Sequence, residues 1–210
     1  KPALVFPMKN GNYAAVMRPD DPKDYLSLLI LDSSGSIKKE YELPLTEIIQ
    51  DGMTRYLAHF VDPDDGSLII SGSDKVLPIA TYRLDLENGT FIKISENNWV
   101  VGIYPDLGYG IYFNYNELTG LPAIKFIDFN GNILNSFPVD HFSYNNIIYN
   151  PQMSVFYFLD NNYYYETSTI KIIDPNTFEM TDSDLEFDNF LEIVGISNSG
   201  SLLLMEVISP

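Results

Sequence analysis

An all-β fold made of repeated four-stranded units is what this sequence predicts, and three observations predict it. The chain is rich in strand-favouring aromatics, since Tyr 15, Phe 13 and Trp 1 make up 14% of its 210 residues, and such side chains fit a pleated, half-buried surface. One hairpin pattern recurs five times along the chain. A second hairpin, opened by an aspartate, follows each of the first four copies. A hydrophobic content of 45% suffices for a packed core, so a single domain spanning residues 1–210 is expected.

The first hairpin is an apolar strand, a turn built from Pro, Asp, Asn and Gly, and a second apolar strand. It occurs at 3–17, 59–70, 101–113, 147–158 and 194–205. The second occurs at 29–37, 82–91, 125–133 and 171–178, where an apolar run ends in Asp32, Asp85, Asp128 or Asp174. An aspartate so placed can accept hydrogen bonds from the amides of the turn it opens. The turn glycine of the first hairpin falls at 11, 66, 108 and 200, with Ser154 in the fourth copy, so the slot advances 55, 42, 46 and 46 residues. From slot to aspartate the separations are 21, 19, 20 and 20 residues. A near-constant offset inside a variable period means rigid units with insertions confined to their connections.

A unit of about 40 to 50 residues holding four strands is a β-propeller blade. The blades are expected at about 3–45, 56–95, 99–139 and 146–187, with a half blade at about 191–208. Any helix is limited to a turn or two near 45–50, in the longest connection between blades. The hairpin that would complete the fifth blade falls near position 220. The chain is therefore expected to be part of a larger propeller of roughly six to eight blades, the alternative being a small five-bladed ring with one thin blade.

The run Tyr104-Pro-Asp-Leu-Gly-Tyr-Gly-Ile-Tyr-Phe-Asn114, followed by Ile124-Lys-Phe-Ile-Asp-Phe-Asn-Gly-Asn-Ile133, resembles the YVTN and TolB-like propeller repeats. Those families carry a Ser-Pro-Asp-Gly turn, a Leu-Tyr-Val strand and a later Val-Ile-Asp before a Thr-Gly turn. The likeness extends over almost the whole chain. Ser154 departs from it, and the Gly-His and Trp-Asp pairs of WD40 repeats are absent. The resemblance implies a periplasmic or secreted bacterial protein, with lipid anchoring through a removed N-terminal segment as one form, since the sequence opens on Lys1. It specifies architecture and not activity.

Charge narrows the partners. Lys+Arg 12 against Asp+Glu 29 leave a net charge of −17, which argues against nucleic acid and anionic membrane surfaces. No run of about 18 apolar residues spans a bilayer. With Cys 0 and only His59 and His141, thiolate sites are excluded and zinc constellations are nearly out of reach. No cofactor and no structural metal are expected.

Function in such a fold belongs to the connections, because loops on a rigid scaffold vary without disturbing the core. The mid-blade connections are 18–25, 71–78, 114–122 and 160–169, and those between blades are 44–55, 95–99, 140–146 and 182–189. In Asp160-Asn-Asn-Tyr-Tyr-Tyr-Glu-Thr-Ser168, neighbours alternate faces, so Tyr163, Tyr164 and Tyr165 cannot all point inward. An exposed tyrosine beside Asn and Glu suits a protein or glycan partner, the ring giving area and the hydroxyl a hydrogen bond. The bland reading packs the triplet on its own blade. Trp99, Tyr115, Tyr144 and His141 lie in the same class of connections and complete the candidate binding set.

The competing reading is a carbohydrate-active enzyme, which needs two carboxylates roughly 5 to 9.5 Å apart across the scissile bond. Asp20, Asp21, Asp24, Asp74, Glu117, Asp140 and Glu166 are available, but none sits in a matching motif, so no catalytic residue is assigned. The Asp140–His141 pair lacks a nucleophile elbow or Walker pattern beside it. His59, in an apolar strand, reads as structural. If extended, the segment 182–188 sets Asp182, Asp184, Glu186 and Asp188 on one face with Leu185 and Phe187 opposite, which reads as a charged outer strand that discourages edge pairing. The glycines from Gly102 to Gly110 imitate a Gly-rich loop only loosely.

Overall fold

The computed structural model describes residues 2–8, 10–21, 24–48, 58–62, 66–73, 79–115, 122–139, 146–162 and 165–206. Its strands form antiparallel sheets in chain order. The first sheet joins β1 (Pro2–Pro7), β2 (Tyr13–Met17), β3 (Ser27–Leu31) and β4 (Ile37–Glu42). The second contains β5 (Glu47–Ile48), β6 (Ala58–Asp62), β7 (Ser67–Ser73), β8 (Ala80–Asp85) and β9 (Thr90–Glu96), with β5 and β6 both paired to β7. The third runs β10 (Trp99–Tyr104), β11 (Tyr109–Tyr115), β12 (Pro122–Asp128) and β13 (Ile133–Pro138). The fourth runs β14 (Ile147–Asn150), β15 (Val155–Asn162), β16 (Thr167–Ile173) and β17 (Met180–Phe187), and among the described residues the last pairs β18 (Leu191–Ile196) with β19 (Leu202–Glu206).

Two compact units emerge, 1–112 with 126–134, and 113–125 with 135–210. In the first, Ala14, Val16, Leu28 and Ile30 of the first sheet pack on Leu68, Ile70, Leu84 and Leu86 around the second. There too Ile69 and Ile94 join Val100, Ile103, Tyr112, Ile127 and Phe129. In the second unit Leu159 and Ile170 pack on Leu191 and Ile193, with Leu202 and Leu204 against them. Strand alternation sorts these residues. Counting from the turn slot, Val16, Ile69 and Leu159, at three or five residues on, face the following sheet. Leu68, Ile70, Leu202 and Leu204, at two or four, face the preceding one.

The slot is real as a backbone position. Gly11, Gly66, Gly108 and Gly200 have φ of 78°, 68°, 79° and 83°, and Ser154 takes the same left-handed conformation at φ 52°. The aspartates behave as their position predicts. Asp32 accepts from the amides of Ser34 (2.9 Å) and Ser36 (3.0 Å), and Asp85 from those of Glu87 (2.8 Å) and Asn88 (3.0 Å). Asp128 accepts from Asn130 and Asn132, both at 2.8 Å, and Asp174 from Asn176 (2.7 Å) and Thr177 (2.9 Å).

Each aspartate turn after the first also sits against the outer strand of the sheet before it. Lys39 Nζ on β4 donates to the carbonyls of Leu86 (2.9 Å) and Glu87 (3.1 Å), and the Tyr41 hydroxyl donates to Leu86 as well. A Cβ built on Gly131 would meet the Lys93 carbonyl of β9 at 3.1 Å. Asn135 on β13 reaches the Phe178 carbonyl at 3.4 Å. Three successive turns thus follow one rule.

Three local expectations change. Glu47 and Ile48 form a strand paired to Ser73 and Gly72 rather than a helical turn, because among the described residues β6 covers that edge of β7 only as far as Ile70 and leaves 72 and 73 open; residues 49 and 50 lie outside the described residues. Among the described residues a helical turn lies at Pro105–Leu107, where proline occupies the first turn and Gly108 closes it in the left-handed region. The outer strand β17 does not alternate cleanly. Thr169 pairs with Glu186 and Lys171 with Asp182, so residues 183–185 bulge opposite Ile170, with Asp184 at φ 58°. The bulge turns Leu185 out to solvent. Its carboxylates therefore do not share one face along the whole strand.

Candidate functional site

Antiparallel order fixes which connections share an end. In each four-stranded sheet the slot turn and the aspartate turn lie at one end, while the mid-blade connection and the chain leaving the outer strand lie at the other. The slot ends are occupied by structural turns, so the opposite ends carry the variable tips.

The best-defined tip joins β15 to β16. Its ladder is longer than the sequence implies, because Asp160 pairs with Thr169, Asn161 with Ser168 and Asn162 with Thr167. The connection thereby shrinks from 160–169 to 163–166. A buried polar node extends the ladder. Asn161 Nδ2 donates to the Leu191 carbonyl at 3.1 Å, and the Ser168 hydroxyl lies 2.6 Å from Asn161 Oδ1 and 2.7 Å from the Asn189 carbonyl. Ser168 in turn accepts from the Leu191 amide at 3.1 Å. Buried polar groups satisfied in this way tie the tip to the entry of β18 and fix its direction. Asp160 pairs with Lys171 at 2.8 Å beside the node. Sequence reasoning missed the node, although Asn161, Asn162 and Ser168 interrupting an apolar strand were its visible signal.

On this base Tyr165 stands 70% exposed, the most exposed large apolar side chain among the described residues. Its amide donates to Asn162 Oδ1 at 3.2 Å, and Glu166 beside it is exposed with φ 56°. Tyr163 and Tyr164 lie outside the described residues, as do Tyr144, His141, Asp140, Asp74 and Glu117. Tyr115 ends β11 as backbone, with its side chain outside the description. His59 lies in β6 on the same terms.

Trp99 opens β10 in the first unit, half-buried. The connection before it is tight, since Asn98 Nδ2 donates to Ser95 Oγ (2.8 Å) and the Glu96 carbonyl (2.7 Å), and Asn97 takes φ 57°. Trp99 belongs to one compact unit and Tyr165 to the other. Asp20, Asp21 and Asp24 are exposed around a turn in which the Asp24 amide donates to the Asp21 carbonyl at 3.0 Å. Gly102 and Gly110 sit inside β10 and β11 and not in a phosphate loop, with the rings of Tyr104 and Tyr112 folded over them.

Electrostatics separates structural from available carboxylates. The pKa of Asp32 is held below its ordinary value chiefly by the Ser34 side chain, that of Asp85 by the Asn88 amide and that of Asp174 by the Thr177 amide. Slight burial would raise Asp128, but the Asn132 side chain and amide with the Asn130 amide outweigh it and hold the group low. All four are the turn aspartates. Among the described residues no group of three His, Asp or Glu is placed to hold a metal ion, and no helix is long and apolar enough to cross a membrane.

No protein-family model matches the chain, and no curated protein matches it in sequence. Solved structures do. The β-propeller domain of the Trilobed protease from Pyrococcus furiosus, which has an open velcro topology, superposes over 100% of this chain and 65% of its own at a TM-score of 0.59 and 14% identity. The acylaminoacyl peptidase of Pyrococcus horikoshii matches 93% of this chain and 33% of its own at 0.53 and 13%. A puromycin hydrolase matches 97% and 35% at 0.55 and 13%. The chain thus spans about two thirds of the first and a third of the others. At these identities the likeness shows the fold: an all-β propeller of antiparallel, mostly four-stranded blades, about four to five of them among the described residues.

Proposed function

We propose that this chain is a non-catalytic recognition module that binds a protein or glycan through the tips opposite its slot turns. The observation that carries the reading is Tyr165, exposed on a tip whose base is locked by the Asn161–Ser168 node. A rigid aromatic with a hydroxyl contributes contact area at low entropic cost, and a locked base means that little ordering opposes binding. Asn162 and Glu166 flank it with hydrogen-bonding groups.

Five described carboxylates are committed to the frame and not to a general-acid role. Those with displaced acidity are held low inside turns, and Asp160 is paired to Lys171, whereas a general acid needs its carboxyl raised. That a propeller occurs as one domain of a protease fits a module within a larger protein. The finer family reading, a TolB-like or YVTN-type repeat at the periplasmic or extracellular side, rests on the turn and strand pattern. The charge of −17 argues against nucleic acid as the partner. The test is a glycan array and a panel of glycan hydrolysis assays run on the same preparation. Binding without turnover is expected, and hydrolysis that is lost on alanine substitution of two tip carboxylates would replace this reading with the enzymatic one.

A further inference from the structure

Among the described residues from 146 to 206, four polar side chains are buried: Asn146, Asn150, Asn161 and Ser168. Three of them are hydrogen-bonded. Asn150 Nδ2 donates to the Gly200 carbonyl at 2.8 Å, and its Oδ1 accepts from the amides of Gln152 (3.1 Å) and Met153 (3.3 Å). Asn161 and Ser168 close the node on the Leu191 and Asn189 backbone. Asn146, just ahead of β14, is as fully buried as Asn150, yet neither its Nδ2 nor its Oδ1 has a hydrogen-bond partner among the described residues.

Register places this side chain. The Asn146 carbonyl accepts from the Leu159 amide at 2.7 Å, which continues the β14–β15 pairing by one residue. Opposed residues of an antiparallel pair share a face, as do residues two apart along a strand. Asn146, Leu159 and Ile170 therefore lie on the same face as Asn161 and Ser168, with Asn161 diagonal to Asn146. This is the face that packs on Leu191 and Ile193. Packing gives no reason for an amide there, since the residue eight before the turn slot in the third sheet is Val100, buried in an apolar cluster. A buried carboxamide that bonds nothing opposes folding, and in native proteins ordered water meets such groups. Asn161 spends one of its two Nδ2 hydrogens on the Leu191 carbonyl and has the other to give. Diagonal side chains lie about 7 Å apart at Cβ, within the span of a one-water bridge.

We propose that Asn146 holds one ordered water between β14 and the Asn161–Ser168 node, and that it acts through this water as a positioning residue for the Tyr165 tip. The water accepts from the unspent N–H of Asn161 and bonds the Asn146 carboxamide, which places it among the polar partners a buried water needs. The node is then held from the inner strand as well as from the entry of β18. That the tip binds a partner rests on the recognition reading above, whereas the water site is read without any ligand.

The test uses the isotope-labelled chain alone. Water-selective Overhauser spectra are recorded on the Asn146 side-chain amide protons, and hydrogen exchange of the Leu191 amide, which donates to Ser168, is compared between the parent and Asn146→Val. The expected result is a contact from the Asn146 amide protons to a long-lived water in the parent, and Leu191 exchange about tenfold faster in the variant. Absence of that contact overturns the proposal, because the carboxamide is then bonded by protein or by nothing. Leu191 exchange unchanged in a folded Asn146→Val also overturns it, since the water then positions nothing. The parent spectrum decides the water site even where the variant does not fold. A Tyr165→Ala chain that binds its partner as the parent does removes the recognition reading and leaves the water in place, so the two failures are distinct.

Discussion

Ser154 holds a left-handed backbone position that glycine holds in the other four copies, and an L-residue there is strained by a contact between Cβ and the carbonyl. Replacing it with glycine removes that contact, so Ser154→Gly is expected to stabilise the fold by about 1 kcal/mol, read as a rise of about 3 °C in Tm for a domain of this size. Tyr112 presents the opposite case. Its ring is fully buried, its hydroxyl has no hydrogen-bond partner among the described residues, and burial pushes its pKa upward. A buried hydroxyl left unpaired opposes folding, so Tyr112→Phe should be neutral or stabilising by about 1 kcal/mol in chemical denaturation. Loss of stability would instead reveal a partner for the hydroxyl. Gly110 must stay small, because an added Cβ would lie 2.8 Å from the Tyr112 ring and 2.9 Å from Ile103. Gly110→Ala is expected to cost roughly 1 to 3 kcal/mol by overpacking.

At the scale of the element, the four aspartate turns form one class with a shared pH response. Their carboxyls are held below the ordinary value in the folded chain, so the unfolded chain binds their protons more readily. The stability they contribute is fully present above the unfolded value near 3.9 and is lost as pH falls through the folded values. Denaturation midpoints should therefore be flat on this account above about pH 5 and fall below about pH 4. Asp128→Ala should destabilise by about 1 kcal/mol near neutral pH, discounted for its exposure, and should flatten the acid limb. These turns were legible in the sequence because short-range chemistry decides them: an aspartate, a glycine and a fixed offset. The pairing of Glu47 and Ile48 and the bulge at 183–185 were not, since each depends on what a neighbouring strand offers. The length of the β15–β16 ladder was hidden for the same reason, as Asn161 and Ser168 look like loop residues until the Leu191 and Asn189 carbonyls are in place.

For the whole molecule, the repeat read from glycine and aspartate spacing carried the fold class, because a blade is a local unit whose order in the chain is its order in the sheet. Function was less legible. Of the tip residues singled out, Tyr165 gains a definite setting, and that setting comes from the node beneath it rather than from its own sequence neighbours. The account predicts two separable properties, a frame held by turns and buried polar ties, and a recognition surface that the frame does not need. The most direct measurement is to compare Tyr165→Ala with the parent chain in thermal unfolding and in binding to the glycans or protein captured by the parent. An unchanged Tm with binding weakened about tenfold or more is the predicted result. A fall in Tm with binding intact would place Tyr165 in the frame and contradict the account.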